Sequence, residues 1–195
     1  MENIQKTTHS DVGDKKVLLK VLYINLLFFF LEVTTGFIAH SIGLIADSLD
    51  MLADVAVYGL SLLAIGGVVA KKRRIASMSG YLQITLAMFG FVEVIRRFVS
   101  EVEVPSFHIM IIISILALIG NSITLYLLQR ARCGDINMKA SLIFTSTDVM
   151  ANIGIITAGI LVYLTDSKLP DLIVGTLVFC LVARGAIKIL RLAKH

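Results

Sequence analysis

The sequence predicts an all-α membrane protein, a bundle of six transmembrane helices with the N and C termini in the cytoplasm. The chain has 195 residues, of which 57% are hydrophobic and 16% are charged, and its mean hydropathy is +0.88. A soluble domain carries about 25% charged and 45–50% apolar residues. The composition therefore excludes a soluble enzyme, a disordered chain and a nucleic-acid-binding module, in spite of an isoelectric point near 9.1. Cys133 and Cys180 match no metal-binding or redox spacing.

Six apolar stretches are each long enough to cross a bilayer as a helix, which takes about 20 residues. Runs of this length indicate helices, because the strands of a membrane barrel alternate in polarity over about ten residues. The stretches cover residues 21–39, 42–69, 78–95, 107–128, 142–164 and 172–190. We expect residues 1–20 to form a flexible cytoplasmic tail and residues 21–192 to form the membrane domain, with no C-terminal soluble domain after it.

The positive charges are distributed unevenly between the two ends of the predicted helices. Fifteen of the 18 lysines and arginines fall on the side that holds both chain termini, and the other side holds Arg96, Arg97 and Lys168. Positive residues concentrate in cytoplasmic loops, so both termini are predicted to be cytoplasmic. The run 71–74 is a topogenic signal in this interpretation; binding of anionic lipid headgroups is the alternative. Short loops without a targeting segment favour the plasma (inner) membrane of a bacterium.

Six acidic residues lie inside the apolar stretches, whereas no basic residue lies deep in any of them. An ionisable group at membrane depth costs a few kcal/mol or more, and it marks a pathway, a pair or a proton site. Glu32 and Glu93 have a structural alternative, either a hydrogen bond between helices in the protonated form or a pair with Arg96 or Arg97. For the other acids a mobile cation is the economical partner. The six are Glu32, Asp47, Asp50, Asp54, Glu93 and Asp148.

Helical geometry predicts that three of these carboxylates converge. Asp47, Asp50 and Asp54 fall within about 60° on one face of the second span. Asp54 lies roughly 18 Å from the outer end of that span, and Asp148 lies roughly 12 Å from the inner end of the fifth. In a hydrocarbon core about 30 Å thick, both are near the same depth. If the second and fifth spans pack together, a divalent cation arriving at this site displaces protons held by the clustered carboxylates.

Two strings resemble one family. Residues 40–54 hold a Ser, an aliphatic stretch and then Asp50 and Asp54, four residues apart. This string resembles the second helix of the cation diffusion facilitator (cation efflux) family of divalent metal exporters. Residues 144–154 resemble the fifth helix of that family and match its pattern at Asp148. Supporting similarities are Asn25, Glu32, Gly36, Asn121 and the pair Pro170-Asp171.

The resemblance implies a secondary active transporter that exports divalent transition-metal cations of the zinc type from the cytoplasm by proton antiport. It implies a membrane-embedded homodimer with alternating access, not an enzyme. The metal is cargo and no cofactor is bound permanently: Zn comes first, with Cd, Co, Fe and Mn as alternatives. The partners are the metal ion, protons and membrane lipid, with no nucleic acid. The resemblance implies that the metal ligands are Asp50, Asp54 and Asp148.

The chain departs from the family pattern at Phe144, which occupies the position of a fourth ligand. Asp47, Thr145 and Asn152 are candidate replacements for that ligand; Asp47 is equally compatible with facing an extracellular vestibule and steering cations. The chain resembles the short branch of the family that lacks the cytoplasmic C-terminal domain. We therefore expect the membrane helices to form the dimer interface, around Gly90 in the third span.

Two other functions stay open. A protein derived from the same family that senses metal or binds a partner without transporting is one alternative, motivated by Phe144. A cation channel lined by the acids is the other, and it predicts conductance far above carrier rates.

Overall fold

The computed structural model describes the backbone of residues 2–64, 69–130 and 136–194. Side chains are described for residues 15–56, 58–59, 62, 74, 77–78, 80–129 and 148–191. Within these ranges the protein contains helices and no strand, which confirms the predicted all-α class. The helices are α1 (Glu2–Ile38), α2 (Ile42–Ala64), α3 (Val69–Val99), α4 (Phe107–Arg130), α5 (Ile136–Thr165) and α6 (Leu169–Lys194).

Four helical segments of the described chain are long and apolar enough to cross a membrane. They are Lys15–Ile38, Phe107–Gln129, Asp148–Thr165 and Leu169–Arg191. Helix α2 is not among them, because its three aspartates interrupt an otherwise apolar sequence. These segments make the chain an integral membrane protein.

Helix α1 begins at Glu2, so the backbone of residues 2–20 is helical, and the flexible cytoplasmic tail expected over residues 1–20 stays a prediction. The physical reason for the helical backbone lies at the end of that segment. Leu18 is buried against Val21, Tyr58 and Leu128, so packing anchors α1 before the predicted span begins. The residues that precede Leu18 contain no proline that would stop the helix from extending towards the N terminus.

Three connections meet at one end of the bundle, here named the α1–α2 end: residues 39–41, 100–106 and 166–168. The backbone N–H of Ser106 donates to the carbonyl of Ala39 over 3.0 Å. The Arg97 guanidinium donates to the carbonyl of His40, which has a left-handed φ of 53° at the turn. Lys168 Nζ donates to the carbonyl of Arg97 over 2.7 Å. Side chains therefore join all three connections at this end.

Helix α2 occupies a central position, since it contacts α1, α3, α5 and α6. Helix α3 packs along α6, where the ring of Phe179 lies against Gly90 and its centroid is 5.8 Å from that of Phe91. Only a residue without a side chain permits this close approach. Gly90 itself is covered by α6 of the same chain, whereas its neighbours Phe89 and Val92 are exposed, so the expectation of a dimer interface in this neighbourhood stays a prediction.

The bundle is apolar outside and carries acids inside. Large apolar side chains such as Phe30, Phe89 and Leu164 are about 60–70% exposed on its outer surface. Asp47 and Asp54 are buried at its centre. A water-soluble protein has the opposite distribution, whereas a lipid environment favours this one.

Candidate functional site

The candidate site is built from α2 and α5, which contact each other in the bundle. Asp50 and Asp54 lie one turn apart on α2, so their side chains share a face. Both are buried, as is Asp148 on α5; their exposed fractions are 6%, 1% and 1%. The packing of the second span on the fifth, on which the predicted convergence depends, is therefore present.

The three carboxyl groups are neighbours. That of Asp148 is a direct neighbour of those of Asp50 and Asp54. The ion pairs formed by described side chains involve Glu93 and Glu103 instead, so no described lysine or arginine neutralises the three aspartates. Among the described residues, no three His, Cys, Asp or Glu side chains are already arranged to hold one ion between them. The three carboxyl groups are therefore neighbours, but they are not arranged around one shared cation position.

Tyr58 orients one of the candidate ligands and was missed by the sequence analysis. Its hydroxyl donates to Asp54 Oδ2 over 2.9 Å, and the residue is fully buried. Residues four apart on a helix are neighbours, so the spacing of Asp54 and Tyr58 was the signal available in the sequence. The hydrogen bond occupies one oxygen of Asp54 and holds the carboxylate on the inner face of α2.

Two of the three candidates for a fourth ligand have described side chains. The side chain of Thr145 lies outside the described residues, as does that of Phe144. The amide nitrogen of Asn152 donates to the carbonyl of Asp148 over 2.9 Å, which leaves its Oδ1 without a donor. Asp47 has no exposed surface, so it does not face an open vestibule in this conformation. Its carboxyl group lies within reach of Asn152.

Comparison with known proteins identifies the domain. The profile of the cation efflux transmembrane domain matches residues 18–193. The chain belongs to the cation efflux family. It is 29% identical over 202 residues to the zinc transporter ZitB of Pectobacterium atrosepticum, covering 96% of this chain and 62% of the relative. It is 28% identical over 204 residues to the zinc transporter ZitB of Yersinia pestis, covering 97% of this chain and 64% of the relative. The chain thus spans less than two thirds of the length of these two relatives.

Glu93 does not belong to the site of this cation efflux domain. Its carboxylate accepts hydrogen bonds of 2.7 Å from Arg96 and 2.8 Å from Arg97 near the end of α3. The predicted pairing of Glu93 with these arginines is confirmed. Glu32 is different, since neither of its carboxyl oxygens has a hydrogen-bond donor among the described residues.

Asp171 of the cation efflux domain caps the helix that carries the site. Its carboxylate accepts hydrogen bonds from the Ser41 hydroxyl and from the backbone N–H groups of Ile42 and Gly43. The first N–H groups of a helix have no partner within the helix, and α6 satisfies two of them here. The sequence analysis noted the pair Pro170-Asp171 only as a family similarity. That a carboxylate on α6 would cap α2 is a tertiary relationship with no local signal.

Proposed function

We propose that this protein exports divalent transition-metal ions from the cytoplasm in exchange for protons, with zinc as the first candidate cargo. One observation carries the proposal: Asp50, Asp54 and Asp148 converge at the buried centre of a bundle with an apolar exterior. Three clustered carboxylates without a basic partner favour the entry of a positive charge. Membership of the cation efflux family supports the same direction of transport.

Zinc is the first candidate for two reasons. The two relatives described above are named zinc transporters. Carboxylate oxygens also bind zinc at about 2.0–2.2 Å. Zinc sites more commonly include His or Cys, and an all-oxygen site suits harder ions as well. Cd, Co, Fe and Mn therefore belong in the same substrate screen.

Proton exchange follows from the crowding of the carboxylates. Three ionised carboxylates that lie side by side inside an apolar bundle repel one another. Bound protons therefore stabilise the site when no metal is present. An arriving divalent ion replaces those protons, and reprotonation releases the ion. The titrations of the three groups are coupled, so the protons belong to the cluster and not to single residues. We propose that α2 and α5 rock together to expose the cluster to each side in turn.

The proposal includes a membrane arrangement. Residues 21–192 form a six-span transport domain that follows a cytoplasmic N-terminal segment, in the inner membrane of a bacterium. The α1–α2 end then faces outwards and both termini face the cytoplasm, as the distribution of lysine and arginine favours. The functional unit is a homodimer that is held together by membrane helices. Since α6 covers Gly90 itself, we expect exposed neighbours on α3 such as Phe89 and Val92 to make the contact.

Metal flux into proteoliposomes tests this function. The purified chain is reconstituted with a proton gradient, and uptake of Zn, Cd, Co, Fe and Mn is measured together with the internal pH. We expect uptake of at least one metal with opposing proton movement. Asp54→Asn and Asp148→Asn should reduce uptake to the level of empty liposomes, because each removes a charged ligand and keeps the side-chain volume.

Asp166→Asn is the matched control. Asp166 is exposed and has a left-handed φ of 45°, a conformation that asparagine also adopts. It should transport like the parent protein. Folded, inserted protein that binds metal without flux would contradict the proposal and favour the non-transporting sensor or partner-binding protein. Conductance far above carrier rates, without a fixed proton count, would instead favour a channel.

A further inference from the structure

A second group of buried polar side chains lies beside the three aspartates. It consists of Glu32 on α1, Asp47 on α2 and Asn152 on α5, and none of the three has exposed surface. Within the described part of the chain, no donor reaches either carboxyl oxygen of Glu32 or Asp47, or Oδ1 of Asn152. Buried polar atoms normally have partners, so five unpartnered oxygens in one place require an explanation.

Asp47 is the common neighbour of the other two side chains. The carboxyl group of Asp47 is a neighbour of the Glu32 carboxyl and of the Asn152 side chain, but its oxygens accept no hydrogen bond from described residues. The amide nitrogen of Asn152 is held by the carbonyl of Asp148, which turns its oxygen away from that bond. Asp47 on α2 thus has one buried polar neighbour on α1 and another on α5.

The group lies nearer the α1–α2 end than the primary cluster. Asp47 precedes Asp50 by three residues, which corresponds to about 4.5 Å along the α2 axis. Glu32 lies about 9 Å from the end of α1, and Asp47 lies about 7.5 Å from the start of α2, so the two acids are at one level. An ion that leaves the primary cluster towards the α1–α2 end meets this level next.

The charge balance of the region favours more than one cation. Glu32 and Asp47 together with the three aspartates of the primary cluster carry five negative charges when ionised. A single divalent ion offsets two of them, and the remaining charges require a second cation or bound protons. Two carboxylates and an amide oxygen are ligands that divalent cations accept.

From these contacts we infer that Glu32, Asp47 and Asn152 form a second binding position for a divalent cation. It is separate from the primary cluster of Asp50, Asp54 and Asp148. This inference rests on the proposed transport function and extends it: the second position receives the ion from the primary cluster on its way to the α1–α2 end. It also assigns Asp47 to a partner on α1, so Asp47 is not the fourth ligand of the primary cluster.

Equilibrium binding to the purified full chain in detergent tests the inference, with Zn²⁺ or Cd²⁺ as the only added ligand. We expect the parent protein to hold a second ion per chain. The double variant Glu32→Gln/Asp47→Asn should lose the second ion and keep the first. The double variant Asp50→Asn/Asp148→Asn should lose the first ion and keep the second. Helical circular dichroism and a single elution peak establish that each variant is folded.

If the Glu32 and Asp47 variant does not fold, Asn152→Ala replaces it. Removing Oδ1 of Asn152 should lower the affinity for the second ion by about ten-fold or more and leave the affinity for the first ion unchanged. Proton release on metal addition is recorded in the same samples with a pH indicator, because protons are the other positive charge that the pair would accept.

Three results would overturn the inference. If the parent protein and the Glu32 and Asp47 variant each bind one ion with equal affinity, there is no second position. The proposed function is unaffected by that result. If parent and variant each bind one ion, and the variant releases fewer protons per ion, then Glu32 and Asp47 carry protons and not a second metal. Absence of any bound ion in the folded parent protein contradicts the proposed function as well.

Discussion

The hydroxyl of Ser41 donates a hydrogen bond of 2.6 Å to Asp171 Oδ1, across 130 residues of sequence. The same carboxylate accepts the N–H groups of Ile42 over 2.7 Å and Gly43 over 3.0 Å. A Cβ at Gly43 would lie only 2.9 Å from Asp171 Oδ1, so glycine permits this approach. Because α2 carries the candidate ligands, α6 fixes the start of the helix on which the site is built.

Asp171→Asn should destabilise the protein. The amide nitrogen introduced at one carboxylate position would face a backbone N–H or the Ser41 hydroxyl, and the charge that strengthens all three hydrogen bonds would be lost. Hydrogen bonds to a charged group contribute about 1.5–3 kcal/mol, so we expect a loss of that order. Thermal unfolding in detergent, followed by circular dichroism at constant pH, measures it. Asp166→Asn is the control, and equal melting temperatures for the two variants would contradict the capping role.

Tyr58→Phe should weaken metal binding and leave the fold intact. The substitution removes only the hydroxyl that holds Asp54 Oδ2, while the buried ring stays in place. Loss of a group that orients a metal ligand typically costs about 10–100-fold in affinity. Zinc titration of the purified variant measures the change. Tyr163→Phe is the matched control, since Tyr163 is 63% exposed and packs its ring on Phe107 far from Asp54. Equal affinities for both variants would show that the hydroxyl does not orient Asp54.

Gly90→Ala should destabilise the packing of α3 on α6. A Cβ at Gly90 would overlap the ring of Phe179, which is fully buried and has little freedom to move. Overpacking of this kind costs about 1–3 kcal/mol. Gly59→Ala is the comparison, because a Cβ there would meet only Leu22 at 3.7 Å. Alanine in an open helical position is favoured over glycine by about 0.5–1 kcal/mol. Thermal unfolding should therefore shift in opposite directions, and a shared direction would contradict the contact.

The convergence of the primary cluster was predictable only in part: local geometry gave the shared face and the matching level, whereas the packing of α2 on α5 came from the tertiary structure. The helical repeat places Asp50 and Asp54 on one face, and the length of the apolar spans places Asp148 at the same depth. The pairing of Glu93 with Arg96 and Arg97 was predictable from local geometry, since all three lie within one turn or so of α3.

Other relationships had a weak local signal or none. The hydroxyl of Tyr58 lies within one turn of Asp54, yet a tyrosine in an apolar helix is most simply interpreted as a packing residue. The oxygens of Glu32 and Asp47 meet only after α1 folds back along α2. Gly90 appears free for a partner until Phe179 of α6 covers it. The burial of Leu18 against Tyr58 and Leu128 depends on how α1 packs on other helices.

The sequence by itself determined the helical class and the position of each buried acid along its helix, because these follow from composition and from a fixed rise per residue. Only the tertiary structure decided which acids meet, which carry partners and which are left without a donor. The reason is physical: the position of a residue along a helix is a local property, whereas the neighbours of its side chain depend on how the other helices pack around it.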